Sequence, residues 1–309
     1  MTPTANELRI RNLVVDRFKA LMAELEPATV LSIVGSTATN LCFALSDIDL
    51  VGRSSTTWGA SLYTLESKIR RARFADDITV ISRAEVPVIK LIDAKTGLEI
   101  NLVYASGGIG STRLVQEWKA RFDAVDLGAG KGLFTIVVFF AKQFLKMRRL
   151  AETYTGGINS YLLVLMVVAW WELEYRPKVS VPNVLPASQA VQDAMLVQAV
   201  VSFLKYYGSG LDYARSCIHI SPSPEIVWKG SYQIRPWHLS LVDPNTGSDI
   251  GKKAYAIKHV AASFSAAARE LEDARYVRGG SREMLDNVLG GNYRKFVAER
   301  AAVLRDAGI

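Results

Sequence analysis

An α+β fold in two lobes, a mixed strand–helix lobe followed by a mainly helical one, is the architecture the sequence predicts. Three observations point to it. Between Thr29 and Tyr104, short apolar runs of strand length alternate with turn-forming and charged segments. From Arg113 onward, apolar residues recur at helical spacing instead. A chain of 309 residues with a hydrophobic fraction of 50% can build two proper cores.

Taken in order, the first element is an amphipathic helix with Ile10, Val14, Phe18, Leu21 and Leu25 on one side. It is expected to pack on the helical lobe. Glu7, Asp16 and Glu24 among its basic residues argue against a transit peptide. The predicted strands are Val30–Val34, Ile48–Val51, Asp77–Ile81, Val86–Ile92 and Leu98–Tyr104, with a charged helix between Leu62 and Arg73. Pro87 sits near the start of its strand, where a missing donor costs least. The predicted later helices are Leu114–Phe122, Gly132–Leu150, Ser160–Tyr175, Ala187–Tyr207 and Lys253–Glu272. Pro177–Pro186 reads as a loop, and Ile218–His238 as polar and strand-like in places. The expected division is 26–113 for the catalytic lobe and 1–25 with 114–309 for the helical lobe.

The net charge of +7 and a pI near 9.3 favour a polyanionic partner. A charged fraction of 22% without low-complexity tracts argues against long disorder. Cys42 and Cys217 have no zinc spacing and read as free thiols of a reducing compartment, hence an intracellular protein of the cytoplasm or mitochondrion. The apolar runs Leu133–Ala141 and Tyr161–Trp171 fall short of the ~20 residues of a membrane span, so no membrane association is expected. His219, His238 and His259 form no ligand set, and no nucleophile elbow supports hydrolysis.

The most informative run is Gly35-Ser36 through Asp47-Ile48-Asp49-Leu50. About three helical turns' worth of residues separate the Gly-Ser turn from a second apolar strand that Asp47 and Asp49 enter. Residues i and i+2 of a strand share a face, so the two carboxylates project together. They repel unless a hard cation lies between them, and Mg²⁺ combines one or two carboxylates with phosphate oxygens. Gly35-Ser36 offers backbone N–H groups to distal phosphates. A solvated strand end would account for the Asp pair alone. On strand 97–104, Glu99, Asn101 and Val103 share a face. Lys142 and Lys146, four apart on a helix, suit a triphosphate or a solvated basic face.

This arrangement resembles the polymerase-beta-like nucleotidyltransferases, and the rest of the chain resembles the terminal uridylyltransferases and small poly(A) polymerases among them. Val86-Pro87-Val88 is similar to the segment before the family's third catalytic strand. Gly110-Ser111-Thr112, Gly156 through Tyr161, Asp243-Pro244 and Asp249-Ile250-Gly251-Lys252 follow in the family's order. The resemblance implies a polymerase-beta-like nucleotidyltransferase lobe plus a mainly helical poly(A)-polymerase-associated lobe. It implies Asp47 and Asp49 as ligands of Mg²⁺ or Mn²⁺, and Gly35, Ser36, Ser111, Thr112, Lys142, Lys146, Ser160, Tyr161 and Asp243 as nucleotide-binding residues. Tyr161 would stack on the base, Ser160 would touch phosphate, and Asp243 would read the uracil edge. The implied activity is transfer of UMP from UTP to RNA 3′ ends. The alternatives are a poly(A) polymerase using ATP, or an inactive nucleotide- or RNA-binding relative, with or without protein partners.

One departure stands out. The family's third catalytic aspartate falls at Asn101, and the neighbouring acid Glu99 is two residues along the strand. Where many uridylyltransferases carry another acid three residues after Asp243, this chain has Thr246. Lys119, Arg121, Arg148, Arg149, Arg176 and Lys253 could line an RNA path or simply coat helices.

Overall fold

The fold comes from a computed structural model that describes residues 2–54, 62–84, 86–104, 108–123, 132–179, 188–230, 237–273, 288–290 and 293–307. It divides into two units, Met1–Gln116 with Asn292–Ile309, and Glu117–Gly291.

The first unit opens with α1 (Ala5–Leu25), started by a capping box. Thr4 accepts from the Glu7 backbone N–H at 3.3 Å, and the Glu7 carboxylate accepts from the Thr4 N–H at 2.7 Å. There follow β1 (Thr29–Val34), the single turn α2 (Gly35–Ala38), β2 (Ile48–Ser54), α3 (Leu62–Arg71), β3 (Ala75–Ile81), β4 (Val88–Asp93) and β5 (Glu99–Val103). The sheet order is β1-β2-β5-β4-β3; β2 and β5 run parallel and the other pairs antiparallel. Strand alternation sorts its faces. Ile48, Leu50, Ile89, Leu91, Ile100 and Leu102 are buried together, covered by Ile10, Val14, Phe18 and Met22 of α1 and by Leu65 and Ile69 of α3. Each such fully buried side chain contributes about 1.5–3 kcal/mol. Asp49 and Asn101 lie between those core residues in sequence, so they project from the opposite face.

Two expectations are corrected here. First, α1 does not belong with the helical lobe. Its apolar stripe covers the sheet, and a last helix, α9 (Tyr293–Asp306), joins the same unit, with Val303 and Leu304 packed against that core. A sheet face lined by Ile48, Leu50, Ile100 and Leu102 requires an apolar cover, and α1 supplies it. Second, the segment between the Gly-Ser turn and Asp47 is helical only from Gly35 to Ala38. Asn40 enters the left-handed region at φ 56°, which ends the helix.

The second unit comprises α4 (Ile109–Phe122), whose residues divide between the units, α5 (Leu133–Met147), α6 (Ser160–Trp170), α7 (Gln189–Lys205) and α8 (Ile257–Asp273). A three-stranded sheet, ordered β7-β6-β8, is formed by β6 (Ser216–His219), β7 (Glu225–Trp228) and β8 (Leu241–Val242). The loop expected at Pro177–Pro186 and the middle of the Ile218–His238 stretch fall partly outside the described residues. The apolar run after Tyr161 is core: Leu162 to Trp170 are all buried, and the Trp170 ring lies 4.8 Å from Tyr175 and 5.6 Å from Phe203. Among the described residues, no helix is long and apolar enough to cross a membrane.

Candidate functional site

Asp47 ends a loop and Asp49 sits in β2, where its Cα partners are Val34 on one side and Asn101 on the other. That register sets the geometry. Asn101 Nδ2 donates to Asp47 Oδ2 at 2.6 Å and to Asp49 Oδ1 at 3.1 Å. The amide N–H₂ thus stands between the two carboxylates, where a cation would otherwise be required. Its other end, Asn101 Oδ1, is buried without a hydrogen-bond partner. Glu99 is held elsewhere. Its Oε1 pairs with Lys90 Nζ at 3.1 Å, so it does not replace the missing acid.

Gly35 is required beside this pair. Its φ is +64°, and a Cβ there would lie 2.6 Å from Asp49 Oδ2. The Gly35 N–H donates to Thr112 Oγ1 at 2.9 Å, so Thr112, buried in the first turn of α4, holds the turn. Ser111 sits next to it, half-buried, and Ser36 lies within α2.

The loop leading to Asp47 is braced by a residue that the sequence alone did not single out. Arg11 of α1 is 1% exposed, and its guanidinium donates to the Ser46 carbonyl, to Thr37 Oγ1 at 2.6 Å and to the Asp47 carbonyl at 2.8 Å. Burial lowers its pKa, opposed by the charges of Cys42, Asp47 and Asp49. A signal for Arg11 was present. Glu7, Arg11, Val14, Phe18 and Met22 fall on one helical face, so two charges sit in the buried stripe. Glu7 in turn pairs with Arg300 of α9 at 2.6 Å.

In the second unit, Lys142 and Lys146 lie one turn apart on α5, half-buried and exposed respectively. Asn159 caps α6 by accepting from the Leu162 N–H at 2.8 Å, which leaves Ser160 exposed at the helix start. Tyr161 and Asp243, far apart in sequence, meet: the phenol donates to Asp243 Oδ1 at 2.7 Å. Asp243 is 4% exposed and also accepts from the Asn245 N–H and from Thr246 Oγ1, both at 3.0 Å. Asp249, the next acid along, shapes the backbone. It accepts from Ser240 Oγ and from the N–H groups of Leu241 and Gly251. Several cations of the supposed RNA path are paired within the unit: Arg121 and Arg176 with Glu172, and Lys119 with Asp123.

The amide between the carboxylates tests the fit of a divalent cation. One nitrogen within hydrogen-bonding reach of both acids shows that their oxygens converge on a single point, as one Mg²⁺ or Mn²⁺ requires. Rotating the amide would offer its orphaned oxygen as a neutral ligand. Among the described residues, no group of three or more His, Cys, Asp or Glu side chains could hold a metal. The site therefore fits one cation and lacks the third negative charge of a two-metal centre.

A sheet carrying paired carboxylates at a strand start beside a Gly-Ser turn suits nucleotidyl transfer, and the comparisons agree with such a fold. Residues 1–120 match the family described as "Poly(A) RNA polymerase, mitochondrial-like, central palm domain". Poly(A) RNA polymerase protein 2 of Saccharomyces cerevisiae is 27% identical over 99% of this chain and 53% of its own length. The polymerase core of TRAMP, an RNA surveillance complex, superposes with a TM-score of 0.78 at 23% identity, covering 94% of this chain and 90% of that one. The Cid1 poly(U) polymerase gives a TM-score of 0.72 at 16% identity, covering 92% and 94%. This chain shares the fold of polymerase-beta-like nucleotidyltransferase structures. It spans about half the length of the curated relatives it matches, with 53%, 48% and 50% of the first three covered.

Proposed function

We propose that this chain is a template-independent nucleotidyltransferase acting on RNA 3′ ends. The observation that carries the reading is the convergence of Asp47 and Asp49 on one point beside the Gly35 turn. In the reaction, the RNA 3′-hydroxyl oxygen forms a bond to the α-phosphorus of a nucleoside triphosphate, the bond to the β-phosphate oxygen breaks, and pyrophosphate leaves. Mg²⁺ or Mn²⁺ held by Asp47 and Asp49 would supply charge neutralisation for the phosphates. Gly35 and Ser36 would grip the distal phosphates, Lys142 and Lys146 would pair with the triphosphate, and Tyr161 would stack on the base. Arg11 keeps the Asp47 loop in the shape this requires.

Adenylyl transfer is the reading we favour for the base. The curated relatives are named poly(A) RNA polymerases. Asp243, proposed from the family pattern as a reader of uracil, already accepts from Tyr161, Asn245 and Thr246. Uridylyl transfer, the reading the motif order first suggested, keeps support from Asp243-Pro244 and from the fold shared with a poly(U) polymerase. A third reading, a nucleotide-binding relative with little activity, is favoured by Asn101 itself. Protein partners are proposed too, because the polymerase core that superposes with TM-score 0.78 is described as part of a complex.

Extension of a labelled RNA with each nucleoside triphosphate in turn, by the natural chain, Asn101→Asp and the double variant Asp47→Ala/Asp49→Ala, separates these readings. The expected result is AMP addition by Asn101→Asp, weak addition by the natural chain and none by the double variant, whose melting temperature stays close to natural. Metal-dependent extension by the double variant would overturn the site assignment.

A further inference from the structure

Four side chains of the second unit form a surface that the nucleotide site does not use. Tyr154 is 95% exposed, Tyr255 62% and Trp237 52%. Singly exposed rings are ordinary on a protein surface, and it is their grouping that marks an interaction site. Contacts join them in two pairs, which the short span from Tyr255 to Lys258 brings side by side in sequence. The Tyr255 hydroxyl donates to the Tyr154 carbonyl at 2.6 Å. Lys258, three residues after Tyr255 and in the first turn of α8, places Nζ 5.6 Å from the Trp237 ring centroid. Trp237 is backed by the buried ring of Tyr213, at 5.8 Å and an angle of 25°.

The Tyr255 ring is also closely packed on one side. A Cβ on Gly156, whose φ is +77°, would lie 2.4 Å from Tyr255 Cδ2, so the glycine loop lies flat against the tyrosine. The Ala256 N–H donates to the Gly156 carbonyl at 3.0 Å, which fixes the loop to the residues ahead of α8. That same loop, through Gly157 and Ile158, leads to Asn159, Ser160 and Tyr161. The patch and the proposed base-stacking tyrosine are therefore positioned by one stretch of backbone.

Charge selects the occupant. Residues 250–260 contain Lys252, Lys253, Lys258 and His259 and no aspartate or glutamate. Aromatic faces interleaved with cations suit unstacked bases on a phosphate backbone, since every base has a π-face and every linkage a negative charge. We propose that Tyr154, Tyr255, Trp237 and Lys258 form a stacking platform for the single-stranded 3′ segment of the RNA. This rests on the RNA 3′-end reading above and names the surface that meets the strand.

The test is fluorescence anisotropy with the full chain, without nucleotide or metal, using a single-stranded RNA of about 12 nucleotides and a blunt RNA duplex. Tyr154→Ala, Tyr255→Ala and Trp237→Ala should each weaken single-strand binding by about fivefold or more. Tyr255→Phe and Trp237→Phe, which keep a ring, should stay within about twofold of the natural chain. Duplex binding should not change, because its bases are already stacked. Tyr154→Ala guards against misfolding, since a side chain this exposed packs on nothing, and melting curves check the other variants. If the natural chain binds the single strand and all three alanine variants bind it equally well, the platform is wrong while the RNA reading stands. If the natural chain binds no single-stranded RNA, both fall.

Discussion

The pair Asp47 and Asp49 and the pair Asp243 and Asp249 are treated in opposite ways by their surroundings. In the second unit, Asp243 and Asp249 are saturated by hydroxyls and backbone N–H groups from their own neighbourhood. Such carboxylates shape a loop and need nothing else. In the first unit, Asp47 and Asp49 face each other across a strand start, and a single amide from β5 separates them. The backbone N–H of Gly35 beside them is turned to Thr112. Local satisfaction marks an acid that builds structure. Convergence on one point is the arrangement from which we propose a cation site.

The largest effect should come from removing the amide. Asn101→Asp places a third carboxylate at the convergence point, so in chelator the variant should melt below the natural chain, because three acids repel. Added Mg²⁺ should reverse the order, and transfer should rise by orders of magnitude as the missing charge is restored. Equal extension rates for the two forms, with equal metal response, would show that Asn101 is not at a metal centre.

Next in size are the lysines. Lys142→Ala or Lys146→Ala should cost about 1.5–3 kcal/mol of triphosphate binding, as for a hydrogen bond to a charged group, and leave nucleoside affinity unchanged. Calorimetry with both ligands reads the difference; equal losses would assign the lysines to a structural face.

Glu7 supplies a third kind of acid, buried yet paired. Burial raises its pKa, but the hydrogen bonds from Arg300 and Thr4 outweigh this and hold it below 4.5. A depressed folded pKa contributes stability above the unfolded value and loses it as pH falls through the folded one. Glu7→Gln should therefore destabilise by about 2 kcal/mol at neutral pH. The gap should close as pH falls below the usual carboxylate range, where the natural chain loses the same contribution. A gap independent of pH would mean that the ion pair is not its source.

The smallest effect belongs to the saturated turn. Tyr161→Phe and Asp243→Asn should each cost about 1 kcal/mol in thermal unfolding, with a double-mutant coupling of about 0.5 kcal/mol or more. Additivity would place the Tyr161–Asp243 contact outside the folding energetics.

The acidic face was legible in the sequence because strand alternation is a strict period. Ile48 and Leu50 turned inward force Asp49 outward, and Ile100 and Leu102 do the same for Asn101. What covers the sheet was not legible. An apolar stripe on α1 says that the helix is buried but not against which lobe. The polar composition of α9 hides the few residues, Val303 and Leu304, that join it to the same core. Arg11 was missed for a related reason. Its partners are mostly backbone carbonyls, which leave no trace in residue identity. The saturation of Asp243 was likewise invisible, since it depends on a turn that brings Tyr161 across 82 positions of sequence.

The Glu7–Arg300 ion pair, spanning 293 positions, also sets a timetable for synthesis. The strands, α1 and the acidic pair leave the ribosome within the first third of the chain. The helix that completes their core emerges only after the whole of the second unit has been made. During translation the sheet must therefore wait with part of its apolar flank uncovered, while the second unit folds as an insertion between its halves. A nascent chain holds both aspartates long before it holds a finished lobe.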